Sequence, residues 1–307
     1  MKDLLIVKDR VLELSKTMAA PMIVSLFEGI AAPASIYRWI KGAKTDDELV
    51  MEFSEDQLKK EVKHYRDAAG NYDGRPCNNK LVLQFQPGFY AHERELWKDP
   101  TIRANLIENR KKYLFKETFS TAEILRGFKI SGVYNGYSHF VSLWIKQFIH
   151  DYQITNLYDP CGGWGHRLVG SLNINYKYND VWDQSCIGVE KIAKFCNADF
   201  LITNNDCTTV ATQNDVCFTC PPYFNNETYS TRYRDIADYN EFLEQLVAMN
   251  PAKLWGIVIN TKYFDNVKNA FTKSNYTLSK EIQLGKSYSH FTGKTKTNKE
   301  WLLVFNP

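Results

Sequence analysis

Residues 219–223, with the sequence TCPPY, place a thiol, two prolines and an aromatic ring next to one another. Proline fixes φ, lacks an amide hydrogen and pushes the preceding residue into extended geometry. The segment is therefore expected to end a strand at Cys220 and to continue as a stiff turn that presents the ring of Tyr223. Aromatic rings stack on nucleic-acid bases but also fill protein cores, so the ring alone leaves both uses open.

Cys217 and Cys220 have the CxxC spacing that zinc sites and redox motifs share. A zinc site needs further ligands at metal spacing, and no second pair lies nearby in the sequence. A redox CxxC opens a helix, whereas two prolines follow this one. We therefore expect neither a metal nor a redox role for the pair. The seven cysteines, an odd number without a secretion signal, indicate a reducing, cytosolic setting.

A second candidate site is the stretch DPCGGWGHR at residues 159–167, where three glycines stand between a predicted strand and a predicted helix. Glycine adopts positive φ and lets a ligand approach the backbone closely. Gly162, Gly163 and Gly165 match neither the phosphate loop, because no Gly-Lys-Ser/Thr follows, nor the dinucleotide pattern GxGxxG. For this motif taken alone, a glycine turn without a ligand is the alternative.

Acidic residues follow the next two predicted strands. Asp180 or Asp183 comes after the second strand, where a carboxylate can accept both hydroxyls of a ribose. Asp206 follows the third strand, where it or its neighbours can accept an adenine amino group, and the fourth strand ends at Cys220. In parallel α/β sheets, ligands bind outside the carboxyl ends of the strands. The order of glycines, acid, acid and aromatic turn therefore predicts one ligand site along that edge.

The elements that must position these residues alternate between strands and helices from about residue 150 onwards. Near-continuous apolar strands such as LWGIVINT predict a mostly parallel sheet with helices on both faces, and the late strands YTLSKEIQL and EWLLVFNP predict an antiparallel edge. Residues 1–130 are predicted to be mainly helical, with a break at Pro100 and a short strand at LVLQFQ (81–86). This pattern divides the chain into domains of residues 1–130 and 131–307.

The charge balance limits where a nucleic acid can bind. The chain has 307 residues and a formal net charge of only +3, so such a surface has to come from local clusters. Three clusters are candidates, and each also fits an ordinary solvated surface. They are a weak helix-turn-helix pattern with Tyr37, Arg38 and Lys41, a basic helix with Arg103, Arg110, Lys111, Lys112 and Lys116, and a basic loop with Lys286, Lys294, Lys296 and Lys299.

The sequence carries no sign of a membrane segment. No apolar run approaches the roughly 20 residues of a membrane-spanning helix. The first residues, MKDLLIVKDR, lack the apolar stretch and cleavage site of a signal peptide. We therefore expect no membrane association and a cytoplasmic location, and the sequence indicates no obligate protein partner.

Two of these motifs resemble a known family when they are taken together. DPCGGWG at 159–165 and CPPY at 220–223 resemble the motifs Asp-Pro-Phe-x-Gly-x-Gly and (Asp/Asn/Ser)-Pro-Pro-(Tyr/Phe) of S-adenosylmethionine-dependent DNA methyltransferases. These enzymes modify exocyclic amino groups, at N6 of adenine or N4 of cytosine. GVYNGYSHFVSLWIKQFI at 132–149 is similar to the family's cofactor-methionine motif, and YFNNETYS and KTNKEWLLVF are similar to members from phage or mobile elements. The resemblance covers residues from about 130 to 307.

The resemblance implies a Rossmann-like methyltransferase domain that uses S-adenosylmethionine without a metal and acts on a flipped base of double-stranded DNA, with adenine slightly favoured. It implies a DNA-modification role, such as restriction-modification, in a bacterial or phage-infected cell, with residues 1–130 serving target recognition. The implied cofactor residues are Tyr134, His139, Phe140, Asp159, Cys161, Gly162, Gly163, Gly165, Asp180, Asp183 and Asp206. The implied catalytic residues are Cys220, Pro221, Pro222 and Tyr223, and the implied substrate residues are Phe224, Tyr229, Lys294 and Lys296.

Cys220 departs from the family pattern, in which an Asp, Asn or Ser side chain and a proline carbonyl accept the hydrogens of the target amine. A thiol sulfur is only a weak acceptor. In one interpretation, Cys220 stands in for Ser and the Pro221 carbonyl does most of the orientation. In a second, Cys220 is the nucleophile of a carbon-5 cytosine methyltransferase, a step that suits thiolates. In a third, catalysis is impaired or the substrate is unusual. A nucleic-acid-binding protein on a methyltransferase fold that does not catalyse is the alternative from another class.

Overall fold

The computed structural model describes residues 13–14, 53–74, 79–114, 119, 121–131, 133, 140–223, 238–285 and 300–307. The chain forms two compact units, one of residues 1–51 and 90–136 and one of residues 52–89 and 137–307. The predicted helix-turn-helix and the basic loop of Lys286 to Lys299 lie outside the described residues.

Seven strands form one sheet in the second unit: β1 (Asn156–Asp159), β2 (Asn175–Asn179), β3 (Leu201–Thr203), β4 (Asn214–Thr219), β5 (Ala252–Asn260), β6 (Thr277–Leu284) and β7 (Glu300–Asn306). Their order is β3-β2-β1-β4-β5-β7-β6. Strands β1 to β5 are parallel, and β7 is antiparallel to both β5 and β6. The predicted Rossmann-like, mostly parallel sheet with antiparallel pairing at one end is confirmed. The opposing strand, β7, lies one place inside the edge.

The helices that can be bounded in the described residues are α1 (Glu55–Asp67), α2 (Lys80–Phe85), α3 (Ala91–Trp97), α4 (Pro100–Leu114), α5 (Thr121–Ser131), α6 (Ser142–Asp151), α7 (His166–Gly170), α8 (Asp183–Phe195), α9 (Tyr239–Met249) and α10 (Phe264–Lys273). None of them is both long and apolar enough to cross a membrane. On one face of the sheet, α9 and α10 share a buried core with β4, β5 and β7 that includes Leu243 and Phe271. On the other face, Phe148 of α6 packs against Phe218 of β4 with ring centroids 4.9 Å apart. Both faces carry helices, as predicted, although α10 was not predicted.

The prediction of a strand at LVLQFQ is wrong, because Lys80–Phe85 forms helix α2. A short apolar run fits a buried helix as well as a strand, and polar caps decide between them. The Asn79 side chain accepts from the Val82 amide at 3.1 Å, and the Glu61 carboxylate accepts from the first two amides of the helix at 3.0 Å each. These acceptors satisfy amide groups that the first turn of a helix leaves without partners.

In the first unit, α3, α4 and α5 pack around Trp97, Leu106 and Phe128. Pro100 begins α4, which confirms the predicted break. Proline is accommodated in the first turn of a helix because the amide that it lacks would have no partner inside the helix.

The basic helix α4 has to be corrected at Arg110. This side chain is only 4% exposed. It lies against Gly127 of α5, where an added Cβ would be 2.9 Å from the Arg110 Cδ. Lys111 and Lys112 are exposed. Arg110 therefore does not join them in a phosphate-contacting stripe.

Helices α1 and α2 belong to the unit that contains the sheet, although they precede residue 130. The Gln86 side chain, after α2, donates to the Ser185 carbonyl oxygen of α8 at 2.9 Å. Arg66 of α1 donates to the Cys196 carbonyl oxygen at the end of α8 at 2.6 Å. The compact units therefore differ from the division at residue 130, which as a statement about domains stays a prediction.

The strand order changes direction at β1. Strands β2 and β3 extend to one side of β1, and the chain then crosses to place β4 on the other side. In open parallel sheets such a switch point leaves a crevice outside the carboxyl ends of the two strands, where ligands bind. The glycine turn follows β1 and the CPPY turn follows β4, so both predicted motifs flank this crevice. Strand β7 begins at the same edge, because Glu300 pairs opposite Asn260 at the end of β5.

Candidate active site

The glycine turn after β1 is held by hydrogen bonds to β2. The Gly162 amide donates to the Asn179 carbonyl oxygen at 2.7 Å, and the Tyr178 hydroxyl donates to the Gly163 carbonyl oxygen at 2.5 Å. A Cβ on Gly162 would lie 2.1 Å from the Tyr178 ring, so a side chain does not fit there. Gly163 and Gly165 have φ of +59° and +88°, the left-handed region that glycine adopts without strain. Gly162 is thus required because a side chain has no room there, and Gly163 and Gly165 are required because their φ is positive.

Asp159, the first residue of the motif, is fully buried and binds three side chains. Its Oδ2 accepts from Arg167 Nε at 2.6 Å and from the Tyr176 hydroxyl at 2.5 Å, and its Oδ1 accepts from Thr219 Oγ1 at 2.8 Å. Burial lowers the pKa of Arg167, but the Asp159 charge and nearby groups outweigh burial and raise it. Asp159 therefore ties β1 to β2, β4 and α7, and its predicted contact with the cofactor stays a prediction.

Asp180 is the acidic residue that contacts the glycine turn. Its Oδ2 accepts from the Gly163 amide at 2.8 Å, and its Oδ1 accepts from the Trp182 amide at 2.9 Å. Burial raises the pKa of Asp180 to about 6, although the two backbone amides oppose the shift. Asp183 instead begins α8 and accepts from the neighbouring Gln184 amide at 2.9 Å. Of the two predicted candidates, Asp180 is the one that reaches the turn.

Asn179 ties the loop after β3 to the same edge of the sheet. Its side-chain amide donates to the carbonyl oxygens of Pro160 at 3.0 Å and Asn205 at 2.9 Å. One residue further on, Asp206 Oδ1 accepts from both the amide and the hydroxyl of Thr208, at 2.9 Å and 2.6 Å. Asp206 thus holds a local turn, and its predicted contact with adenine stays a prediction.

Cys161 lies in the glycine turn with its Sγ 3.5 Å from the Sγ of Cys207. The contact with Cys207, followed by burial, raises the pKa of the Cys161 thiol. A neutral thiol is a poor nucleophile. The backbone carbonyl oxygen of Cys161 accepts a hydrogen bond from Arg167 Nη2. These contacts place Cys161 in the packing of the turn.

Of the three cofactor residues predicted in the methionine motif, Phe140 is the one that the structure describes, because Tyr134 and His139 lie outside the described residues. Its ring lies edge-on to Phe218 of β4, with centroids 6.3 Å apart. The Arg167 guanidinium carbon is 5.1 Å from the centroid of the Phe140 ring. Phe140 therefore packs beside the ion pair that holds the glycine turn.

The two cysteines of the CxxC pair lie in different surroundings, because Cys217 belongs to β4 and Cys220 begins the CPPY turn. Cys217 is fully buried in the core between β4 and α9, whereas Cys220 is half-buried beyond the end of β4. Over the described part of the chain, no group of three or more His, Cys, Asp or Glu side chains could hold a metal ion. The Tyr223 ring stacks on Tyr263, with centroids 5.7 Å apart and planes 14° apart. Its hydroxyl oxygen lies 4.0 Å from Cys220 Sγ.

Glu300 completes this side of the site. The Tyr223 hydroxyl donates to Glu300 Oε2 at 2.7 Å, and Asn260 Nδ2 donates to Glu300 Oε1 at 3.3 Å. The carboxylate is half-buried. Sequence reasoning missed it because its position depends on β7 entering the sheet beside β5, which no local spacing indicates.

The structure brings the glycines, Asp159, Asp180 and the CPPY residues to one edge of the sheet. Asp183 begins α8 and Asp206 lies in a local turn. Phe224, Tyr229, Lys294 and Lys296 fall outside the described residues. Sequence reasoning also missed Arg167 and Thr219. Arg167 could have been found from the sequence, because a charged residue in the first turn of a helix that packs on the sheet needs a buried partner.

The chain matches no protein-family model and no curated protein. It is similar in structure to a proposed class I S-adenosylmethionine-dependent methyltransferase of Listeria monocytogenes, with a TM-score of 0.43, 14% identity and coverage of 82% of this chain and 87% of that one. For an S-adenosylmethionine-dependent methyltransferase of Clostridium acetobutylicum, the TM-score is 0.40 and the identity 9%, with coverage of 54% of this chain and 90% of that one. For a tRNA m1G37 methyltransferase of M. jannaschii, the TM-score is 0.41 and the identity 14%, with coverage of 55% of this chain and 50% of that one. At these low TM-scores and identities, the likenesses support no conclusion about activity or substrate.

Proposed function

We propose that this protein transfers a methyl group from S-adenosylmethionine to an exocyclic amine of a DNA base, with adenine favoured over cytosine. One observation carries the proposal: the glycine turn follows β1, the CPPY turn follows β4, and these strands are neighbours at the switch point of the sheet. A cofactor site and a base site at the ends of adjacent strands can bring a methyl group and an amine together, and such positioning is a large part of catalysis.

The residues around the glycine turn fit this cofactor. Backbone amides use two of the roughly four acceptor positions of the Asp180 carboxylate, which leaves capacity for ribose hydroxyls. The next residue, Val181, is 40% exposed and offers apolar surface to an adenine ring. Space is open above Gly163, where the nearest atom to an added Cβ is an Arg167 nitrogen at 3.9 Å. When bound, the cofactor would supply an electrophilic methyl group on a positively charged sulfur.

The CPPY turn fits the other substrate. An exocyclic amine is a weak nucleophile because its lone pair is delocalised into the ring, so its hydrogens need acceptors that direct the lone pair. The Pro221 carbonyl is one acceptor, Cys220 is a weak one, and the Tyr223 ring stacks on the flipped base. Attack by the nitrogen lone pair would form the bond to the methyl carbon, the carbon–sulfur bonding pair would stay on the cofactor's sulfur, and the nitrogen would release one proton to water.

The direct test is transfer of tritium from labelled S-adenosylmethionine to duplex DNA and, in parallel, to RNA, followed by mass spectrometry of the digested product. We expect N6-methyladenine or N4-methylcytosine in DNA. Transfer to RNA alone would replace DNA as the substrate. Calorimetry that shows no binding of S-adenosylmethionine would overturn the proposal.

Variants of Cys220 test its role within the same assay. If the thiol is a weak acceptor, Cys220→Ser keeps activity close to that of the wild type, and Cys220→Ala loses about threefold, the lower end of the range for one hydrogen bond. Cys196→Ala, at the far end of α8, is the matched control. Loss of activity in both Cys220 variants, together with covalent trapping by DNA that contains 5-fluorocytosine, would instead identify a carbon-5 methyltransferase.

A further inference from the structure

The CPPY turn supplies fewer strong acceptors than the proposed reaction needs. The two hydrogens of an exocyclic amine require two acceptors, and the backbone carbonyl of Pro221 provides one. At the position where a carboxylate, amide or hydroxyl would provide the second, this chain has Cys220. A thiol is a weak acceptor, so a second strong acceptor has to come from another element or be absent.

Glu300 is a strong acceptor that contacts the CPPY turn. It begins β7, whose antiparallel direction brings its first residue to the edge where the parallel strands end. The Tyr223 hydroxyl links the two groups, because its oxygen lies 2.7 Å from Glu300 Oε2 and 4.0 Å from Cys220 Sγ. Asn260 holds the other carboxylate oxygen at 3.3 Å, which fixes the plane of the carboxylate.

The carboxylate also has capacity left for a ligand. Its hydrogen bonds to Tyr223 and Asn260 use two of the roughly four acceptor positions of a carboxylate. The Glu300 side chain is half-buried rather than enclosed. In a site that a bound base closes to water, a carboxylate is a stronger acceptor than a neutral group, because hydrogen bonds to charged groups are about twice as strong as neutral ones.

We infer that Glu300 accepts a hydrogen of the target amine and supplies the side-chain acceptor that the CPPY turn lacks at Cys220. This inference rests on the proposed function. It also names the class of base that the pocket takes. A carboxylate favours a base that presents an amino group, as adenine and cytosine do, and repels a base that presents a carbonyl oxygen at that place.

The test compares Glu300→Gln, Tyr223→Phe and the double variant in the tritium assay, on the DNA that the wild type methylates. Glu300→Gln keeps the shape of the side chain and an oxygen for Tyr223 but removes the charge. Because the amide oxygen still accepts a hydrogen bond, we expect kcat to fall about tenfold, the difference between a hydrogen bond to a charged group and one to a neutral group. Tyr223→Phe removes only the hydroxyl and should cost about threefold. Because the two side chains share one hydrogen bond, the loss in the double variant should be close to that of Glu300→Gln alone.

A second readout separates acceptance of the amine from binding of the base. Sequencing of the methylated DNA gives the target position, and a duplex with 2-aminopurine at that position reports extrusion of the base by fluorescence. We expect Glu300→Gln to keep the fluorescence change and the KM of the wild type, because the ring of Tyr223 still holds the base. Glu281→Gln, an exposed change on β6 that removes an ion pair with Lys268, is the matched control.

Two results would overturn the inference while the proposed function stands. One is activity of Glu300→Gln equal to that of Glu281→Gln. The other is an equal loss in Glu300→Gln, Tyr223→Phe and the double variant, which would make Glu300 a positioning residue that acts only through Tyr223. If Glu300→Gln does not fold, Glu300→Asp keeps the charge one methylene shorter and should retain more activity than Glu300→Ala. Failure of the wild type to methylate any nucleic acid would overturn the proposed function and this inference together.

Discussion

The two halves of the site edge are built in different ways. Around β1, β2 and β3, buried polar side chains bond to backbone groups of neighbouring turns, as Asp180 does with the Gly163 amide. Around β4, β5 and β7, stacked rings and one carboxylate meet through side chains, as Tyr223 does with Tyr263 and Glu300. The first half fixes the path of the main chain. The second half presents side chains that can contact a ligand.

This difference separates the expected effects of substitution. Changes in the half formed by β1 to β3 should reduce the free energy of unfolding and cofactor binding together, because the same bonds hold the turn and shape its surface. Changes in the half formed by β4, β5 and β7 should reduce methyl transfer without a matching loss of stability. Four experiments test this division.

The largest effect is expected for Arg167→Ala. It leaves the fully buried Asp159 carboxylate without its cation, and breaking a buried ion pair from one side typically costs about 3–5 kcal/mol. Urea denaturation measures this loss. Lys63→Ala, which removes an exposed ion pair with Asp67 on α1, is the control and should not change the midpoint measurably. An equal midpoint for Arg167→Ala and the control would show that the ion pair does not hold the turn.

Tyr223→Ala should lower kcat/KM for DNA on the order of 10- to 100-fold, because stacking of a base on an aromatic ring contributes about 1–3 kcal/mol. The affinity for S-adenosylmethionine, measured by calorimetry, should stay that of the wild type. Tyr276→Phe, which removes a hydroxyl bonded to Ala252 at the opposite end of β5, provides a comparison outside the site. A parallel fall in cofactor affinity would mean that the two halves are not separable.

Gly162→Ala and Gly163→Ala distinguish two costs of adding a side chain to the same turn: a steric clash at 162 and an unfavourable positive φ at 163. An added Cβ at 162 would overlap the buried Tyr178 ring, and forced repacking typically costs about 1–3 kcal/mol. At 163 the space is open and only the positive φ opposes a side chain, which costs about 1 kcal/mol. Thermal denaturation and calorimetry with the cofactor should both rank Gly162→Ala as the more damaging change. The reverse ranking would show that Tyr178 can move.

The smallest expected effect is the pH dependence that comes from Asp180. Burial raises its pKa in the folded chain to about 6, above the usual value of about 3.9 for an unfolded chain. The folded state therefore binds the proton more tightly, so the contribution of Asp180 to stability is fully present below about pH 4 and is lost as the pH rises through about 6.

Cofactor binding should follow the opposite direction, because ribose hydroxyls need the ionised carboxylate as an acceptor. Affinity for S-adenosylmethionine is expected to fall about tenfold between pH 7 and pH 5, one unit below the pKa. Asp180→Asn should bind weakly at both pH values. Asp183→Asn, which alters the candidate that does not reach the turn, should keep the pH dependence of the wild type. A pH dependence that survives in Asp180→Asn would assign it to another group.

The sequence anticipated features that depend on neighbours along the chain. The glycine turn, Asp180 and the CPPY turn could be found because each follows a strand directly, and the alternation of strands and helices predicted their shared edge. LVLQFQ was misassigned because its type depends on caps from Asn79 and Glu61 rather than on its own residues. Glu300 could not be found because its place depends on the order in which strands pair, a property of the whole sheet.

The position of β7 also bears on the order of folding. Strand β7 fills the gap between β5 and β6, and it pairs with β5 across 40 positions of sequence, from Asn260 to Glu300. A chain in which this strand has not yet paired lacks the hydrogen bond from the Tyr223 hydroxyl to Glu300. Non-local pairings of this kind form slowly because the chain entropy of closing the loop is lost first. Pairing of β7 with β5 therefore closes the sheet and brings the Glu300 carboxylate to the Tyr223 hydroxyl in a single event.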